Sequence, residues 1–147
     1  MNKNTIILIK NFYFITNKPI ASCGVNVGSF PNINTVPIKI QKELEKQNYN
    51  ILTPSPWQKF LGFFNKKYDA KNALVTIEGT LDGTAWKSER VEGGELWTSI
   101  IVKNTKTKTD FNIEETILHT TNINTIIPQL IAKVCPQIIE AIEKLEN

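Results

Sequence analysis

One histidine, two cysteines and a single methionine in 147 residues leave little material for several common chemistries. Nucleophilic catalysis by Ser-His-Asp or Cys-His sets needs a histidine beside the nucleophile. His119, alone near the end of an alternating apolar stretch and without an evident partner, reads as a surface or partly buried polar residue. Structural zinc takes about four ligands, and Cys23, Cys135 and His119 match no metal-binding spacing, so neither a metal nor another cofactor is expected. Glycine and proline number seven each and form no low-complexity tract, which excludes a collagenous or linker-like chain. Gly93-Gly94 is followed by no Lys-Ser or Lys-Thr and no helix, so it is not a phosphate loop.

Charge of one sign is not concentrated either. Residues 1–72 carry ten lysines against three acids, and residues 73–147 carry seven bases against eleven acids. Nucleic-acid binders show a dense basic footprint. The only short cluster here runs from Lys59 to Lys71, so nucleic acid is not an expected partner. A chain starting at Cys23 would hold fourteen bases and fourteen acids, which is neutral. The carboxylate pairs Glu114-Glu115 and Glu92/Glu95 read as solvated charges, because adjacent strand residues point to opposite faces. No enzymatic activity is expected.

The first 23 residues have an order of their own. A basic start (Lys3) leads to Thr5-Ile6-Ile7-Leu8-Ile9, then Lys10-Asn11, then Phe12-Tyr13-Phe14-Ile15, and after Asn17-Lys18-Pro19 comes Ile20-Ala21-Ser22-Cys23. A basic start, an apolar middle and small residues before a cleavage point are what export machinery reads. Ile20-Ala21-Ser22-Cys23 resembles the lipobox of bacterial lipoproteins, an aliphatic residue and two small ones before the cysteine. The resemblance implies that residues 1–22 are a signal peptide, that Cys23 receives a lipid, and that residues 23–147 are one domain held on a membrane facing the periplasm. A lysine within the apolar run costs about 2.5 to 3.5 kcal/mol on translocon scales, and nine apolar residues returning about 0.3 to 0.6 kcal/mol each bring the sum near break-even. The alternative is that Thr5 to Ile15 is an ordinary strand of a soluble, unlipidated domain and Cys23 a plain thiol, able to pair with Cys135 in an oxidising compartment. Elsewhere no stretch approaches the ~18 apolar residues of a membrane-spanning helix.

Periodicity supplies the architecture. Val25 to Phe30 suits a strand. Val36, Ile40 and Leu44 recur every four residues behind Thr35 and Pro37, which predicts an amphipathic helix to about Tyr49. From Ala73 the period changes to two, through Val75, Ile77 and Leu81. A second strand is expected over Thr84 to Val91, a tight turn at Glu92-Gly93-Gly94-Glu95, a third strand over Leu96 to Lys103, and a fourth through Phe111, Ile113 and Ile117. Ile127, Leu130, Ile131, Val134, Ile138, Ile142 and Leu145 predict a final helix, with Thr125 as cap and a kink or break at Pro136. The sum is an α+β two-layer sandwich, an antiparallel meander covered on one side by two amphipathic helices.

Aromatics provide the candidate contact residues. Trp57, Lys59, Phe60, Phe63, Lys66 and Lys67 cluster in one segment and suit a lipid surface or a protein partner. The same segment also has the spacing of a short core helix through Trp57, Leu61 and Phe64. Trp86 and Trp97 form either a cross-strand pair or an exposed platform for a sugar or peptide. Cys23-Gly24 followed by a strand, a helix, a sheet and a last helix resembles, in element order, the small lipopolysaccharide-assembly lipoproteins of Gram-negative outer membranes. That resemblance implies an assembly or accessory role and transfers no functional residue. The expected function is a non-enzymatic, lipid-anchored envelope protein that binds another envelope component, of undetermined oligomeric state.

Overall fold

The computed structural model describes residues 5–15, 20–22, 25–52, 73–88 and 92–146. They form strands β1 (Ile6–Ile15), β2 (Ile20–Ser22) and β3 (Val25–Ser29), helix α1 (Val36–Lys46), strands β4 (Asn50–Leu52), β5 (Val75–Lys87), β6 (Glu92–Asn104) and β7 (Asp110–His119), and helix α2 (Ile126–Glu146). A short 3₁₀ turn leads into each helix, at Ile33–Thr35 and at Ile123–Thr125.

All seven strands join one sheet, and the sheet is mixed. β5 pairs with β6, and β6 with β7, as an antiparallel meander. On its other edge β5 is shared: β1 runs parallel to its first half, and β3 runs antiparallel to its last residues. β4 lies parallel to β1 beyond it, and β2 closes a hairpin on β3. The α+β class stands, but the purely antiparallel meander does not. The reason is the N-terminal segment, which enters the sheet as an interior strand with parallel neighbours on both sides.

β1 explains its own sequence. Strands flanked by parallel partners read as apolar runs, and Ile6-Ile7-Leu8-Ile9 is such a run, with Ile7 fully buried, its neighbours half-buried, and Tyr13 and Phe14 exposed further along. Ile7 is 0% exposed and Phe12 4%. Between them the register slips, since Ile9 pairs with Ile77 and Phe12 with Gly79, so three steps of β1 oppose two of β5. This is a bulge at Lys10-Asn11. It restores the phase, so that both Ile9 and Phe12 share the face of Ile77 and Gly79 while Lys10 reaches solvent. The segment expected to be a detachable leader thus supplies core residues.

Two expected strands, before and after Gly83, are one continuous β5, and the expected glycine turn lies inside β6. Gly93 and Gly94 pair with Trp86 and Ala85, and the chain reversal precedes Glu92. A Cβ at Gly93 would stand 2.7 Å from the Trp86 indole nitrogen, and one at Gly94 2.9 Å from Phe30 Cε2. These glycines make room for aromatic rings and do not serve a turn.

α1 starts where expected, ends at Lys46 and not at about Tyr49, and buries Val36, Ile40 and Leu44. Thr35 occupies its N-cap position, but its hydroxyl donates back to the Asn32 carbonyl at 2.7 Å and caps no helix N–H. α2 continues unbroken through Pro136. The lost bond there is the one to the Ala132 carbonyl, and both residues are on the exposed side of the helix, where water can take the place of the missing N–H. α2 packs on β6 and β7, and α1 on β1, β4 and α2. Gln137 Nε2 donates to Glu115 Oε1 at 2.8 Å, and buried Asn104 donates from Nδ2 to the Leu145 carbonyl at 3.2 Å. Those two bonds fix α2 to β7 and to the end of β6. By length and composition Ile123–Leu145 could cross a membrane, but half of its most apolar window is buried in the fold.

Candidate functional site

A groove of about 570 Å³ lies between α1 and α2. A second hollow of about 270 Å³ adjoins it and shares Lys39 and Pro128, so the two form one trough along the helix pair. At one end lie both 3₁₀ turns, with Asn32 and Thr35 facing Ile123 and Asn124; at the other lie Gln47 and Ile139. The helices therefore run parallel.

Each wall is one helical stripe. Lys39, Lys42, Glu43 and Lys46 recur at three- and four-residue steps on α1, on the flank of the face that buries Ile40 and Leu44. Pro128, Ala132, Pro136 and Ile139 repeat the pattern on α2, with Ile131 and Cys135 as floor. One wall is cationic and the other is uncharged with few bulky atoms. Lys46 pairs with Glu43 at 3.0 Å, while Lys39 and Lys42 have no ion pair among the described residues.

The helix entries share an identical tetrapeptide, Asn32-Ile33-Asn34-Thr35 and Asn122-Ile123-Asn124-Thr125. In each, the threonine hydroxyl donates to the carbonyl of the first asparagine, at 2.7 and 3.0 Å. The threonine bond is shared, but Asn32 is left-handed and Asn122 is extended with its side chain accepting from the Asn124 N–H.

Cys135 is 6% exposed on the trough floor. Burial, and secondarily the charge of Glu43, pushes its thiol up to about 11 from the ordinary 9. A thiol raised by two pKa units has about a hundredfold less thiolate at neutral pH. In a Cys23→Ser variant, Cys135 should react with dithionitrobenzoate at pH 8 at least about a hundredfold more slowly in the native than in the urea-unfolded protein. Because the native state holds this proton more tightly, its contribution to stability is complete below pH 9 and is lost as pH rises from 9 towards 11.

The residues singled out from sequence are not gathered here. Cys23 and the segment Trp57, Lys59, Phe60, Phe63, Lys66 and Lys67 lie outside the described residues. Trp86 and Trp97 share a sheet face but not a cross-strand position: Trp86 faces Gly93 and Trp97 faces Asp82. Four residues of β5 separate those positions, about 13 Å at strand rise, so the expected pair does not form. His119 Nδ1 accepts backbone N–H bonds from Thr121 at 3.2 Å and Asn122 at 3.0 Å, which organises the turn after β7. Glu114 is exposed, and Glu115 is held by Gln137. The trough was not singled out from sequence, although each stripe is legible there; that the two stripes face each other is a property of the packing.

No protein-family model and no curated protein sequence matches the chain. Among solved structures, the fold is similar to the lipoprotein GNA1162 from Neisseria meningitidis, with a TM-score of 0.57 and 10% identity, covering 92% of this chain and 99% of that one. It is also similar to the hypothetical protein CT253 from Chlamydia trachomatis, with a TM-score of 0.55 and 8% identity, covering 95% and 96%. At such identities the likeness shows the fold. A match covering 92% of 147 residues is longer than residues 23–147, so it includes part of the first 22.

Proposed function

We propose that this chain is a non-enzymatic binding module that keeps β1 in the working protein and recognises its partner through the α1–α2 trough. The observation that carries the reading is the trough itself, an open channel with a cationic wall and an apolar wall, shaped for contact. Its lining brings no histidine beside a nucleophile or a carboxylate. His119, the residue on which acid-base chemistry would depend, has its Nδ1 engaged by backbone amides elsewhere. In this reading both helices form one layer over one face of the sheet, and the trough is the outer surface of that layer.

A second reading is an envelope lipoprotein carrying a lipid on Cys23 and binding another envelope component as an assembly or accessory module. The lipobox-like Ile20-Ala21-Ser22-Cys23 and the Neisseria lipoprotein among the structural neighbours favour it. Against it stands β1, because cleavage before Cys23 removes a strand bonded to both β4 and β5. Intact mass of the protein isolated from its native host decides. The first reading expects residues 6–15 retained and an unmodified Cys23; a chain starting at an acylated Cys23, recovered with the membranes, establishes the second.

A further inference from the structure

We propose that the trough receives an acidic amphipathic helix of a partner protein, its carboxylates against Lys39 and Lys42 and its small or apolar stripe against Pro128, Ala132 and Pro136. This rests on reading the chain as a binding module and names the chemistry of what that module binds.

Three features of the trough select this occupant. Both walls repeat at helical spacing, and the stretch from Thr35 to Gln47 is about 18 Å long, the length of a helix of about twelve residues. A third helix laid there meets a cation at nearly every turn on one side. On its other side it meets an uncharged wall whose short side chains permit close approach. The trough is also open: Lys39, Lys42, Lys46, Pro128, Ala132 and Pro136 are all exposed. Small-molecule sites enclose about 70 to 90% of their ligand, whereas a helix brings its own outer face to cover an open groove.

Charge then decides between partners. Lys39 and Lys42 lack ion pairs among the described residues, so acidic side chains gain two cations without breaking an existing bridge. Residues 53–72 of this chain hold four lysines and one acid, so the charge of the wall opposes their docking there.

The test uses the full-length chain and two fluorescein-labelled synthetic peptides of about fourteen residues, four helical turns each. Both carry leucine and alanine on one stripe; the adjoining stripe is glutamate in one peptide and lysine in the other. Fluorescence anisotropy should show the glutamate peptide binding at least about tenfold more tightly than the lysine peptide, with affinity falling as salt rises. The double variant Lys39→Glu/Lys42→Glu should lose at least about tenfold for the glutamate peptide and gain affinity for the lysine peptide. Ala132→Arg, on the opposite wall, should weaken both peptides. All three positions are exposed, and unchanged circular dichroism and thermal unfolding verify that the variants are folded. Equal affinity for the two peptides, or an affinity indifferent to Lys39→Glu/Lys42→Glu, overturns the proposal. Sodium laurate that binds in a way sensitive to these variants while the glutamate peptide does not would assign the trough to a fatty acid. Self-association abolished by the same variants would assign it to a second copy of this chain. Either result overturns the acidic helix while leaving a binding module; indifference of all three probes to substitutions on both walls removes the binding role of the trough as well.

Discussion

A chain that starts at Cys23 is expected not to fold cooperatively, whereas the full-length chain does. Deletion of residues 1–22 removes β1, which lies between β4 and β5 and bonds to both. β4 would lose its partner strand, and the first half of β5 would become a bare edge. Ile7 and Phe12 leave the core with it, at 0% and 4% exposure. Truncation of one such residue costs about 2 to 5 kcal/mol for isoleucine and about 3 to 5 for phenylalanine, against a total stability of about 5 to 15 kcal/mol for a domain. Single substitutions should grade the effect in urea denaturation: Ile7→Ala and Phe12→Ala each strongly destabilising, Tyr13→Ala near neutral because Tyr13 is 72% exposed. A deletion variant with the cooperativity and midpoint of the full chain would return residues 1–22 to the status of a detachable leader.

That segment also shows where sequence reading reaches its limit. An interior strand between parallel neighbours and the apolar middle of an export signal draw on the same residues, because both are built from runs of aliphatic and aromatic side chains. Ile6 to Ile9 satisfies both. Lys10-Asn11 interrupts an apolar signal run, and in the strand it is the bulge that brings Phe12 back into phase. The spacing of Val36, Ile40 and Leu44, and that of Ile138, Ile142 and Leu145, gave both helices correctly, since each amphipathic stripe is a local property. Strand pairing is not local. Gly93-Gly94 has the composition of a hairpin turn, and only the pairing that sets Gly93 against Trp86 and the position of Phe30, more than sixty residues before Gly94, show that these glycines accommodate aromatic rings. The trough lies between these cases: Lys39, Lys42 and Lys46 are visibly one stripe and Pro128, Ala132 and Pro136 another, and nothing local says that they face each other.

The glycine arrangement makes the second large prediction, and the three sites are expected to respond differently. Phe30, 3% exposed, lies against both Gly83 and Gly94. A Cβ at Gly83 would stand 2.6 Å from Phe30 Cβ and 2.9 Å from Leu96 Cδ1, while one at Gly94 would meet the far edge of the ring at 2.9 Å. At Gly93 the nearest atom is the carbonyl oxygen of His119, at 2.6 Å, which belongs to the backbone of the neighbouring strand. Overpacking of this kind typically costs about 1 to 3 kcal/mol. Gly83→Ala and Gly93→Ala should lie at the upper end of that range, and Gly94→Ala at the lower end because a ring edge can tilt away. Pairing each with Phe30→Ala separates the causes. The alanine keeps its own Cβ, so Gly83→Ala should remain nearly as costly in the Phe30→Ala background, and Gly93→Ala should be unaffected by it. Gly94→Ala should lose most of its cost, since the atom it strikes is gone, giving a coupling of about 1 kcal/mol in a double-mutant cycle measured by urea denaturation. Strict additivity at Gly94 would mean that the Thr84 carbonyl, 3.1 Å from the same position, sets the penalty, and that the backbone of β5, not the Phe30 ring, requires glycine there.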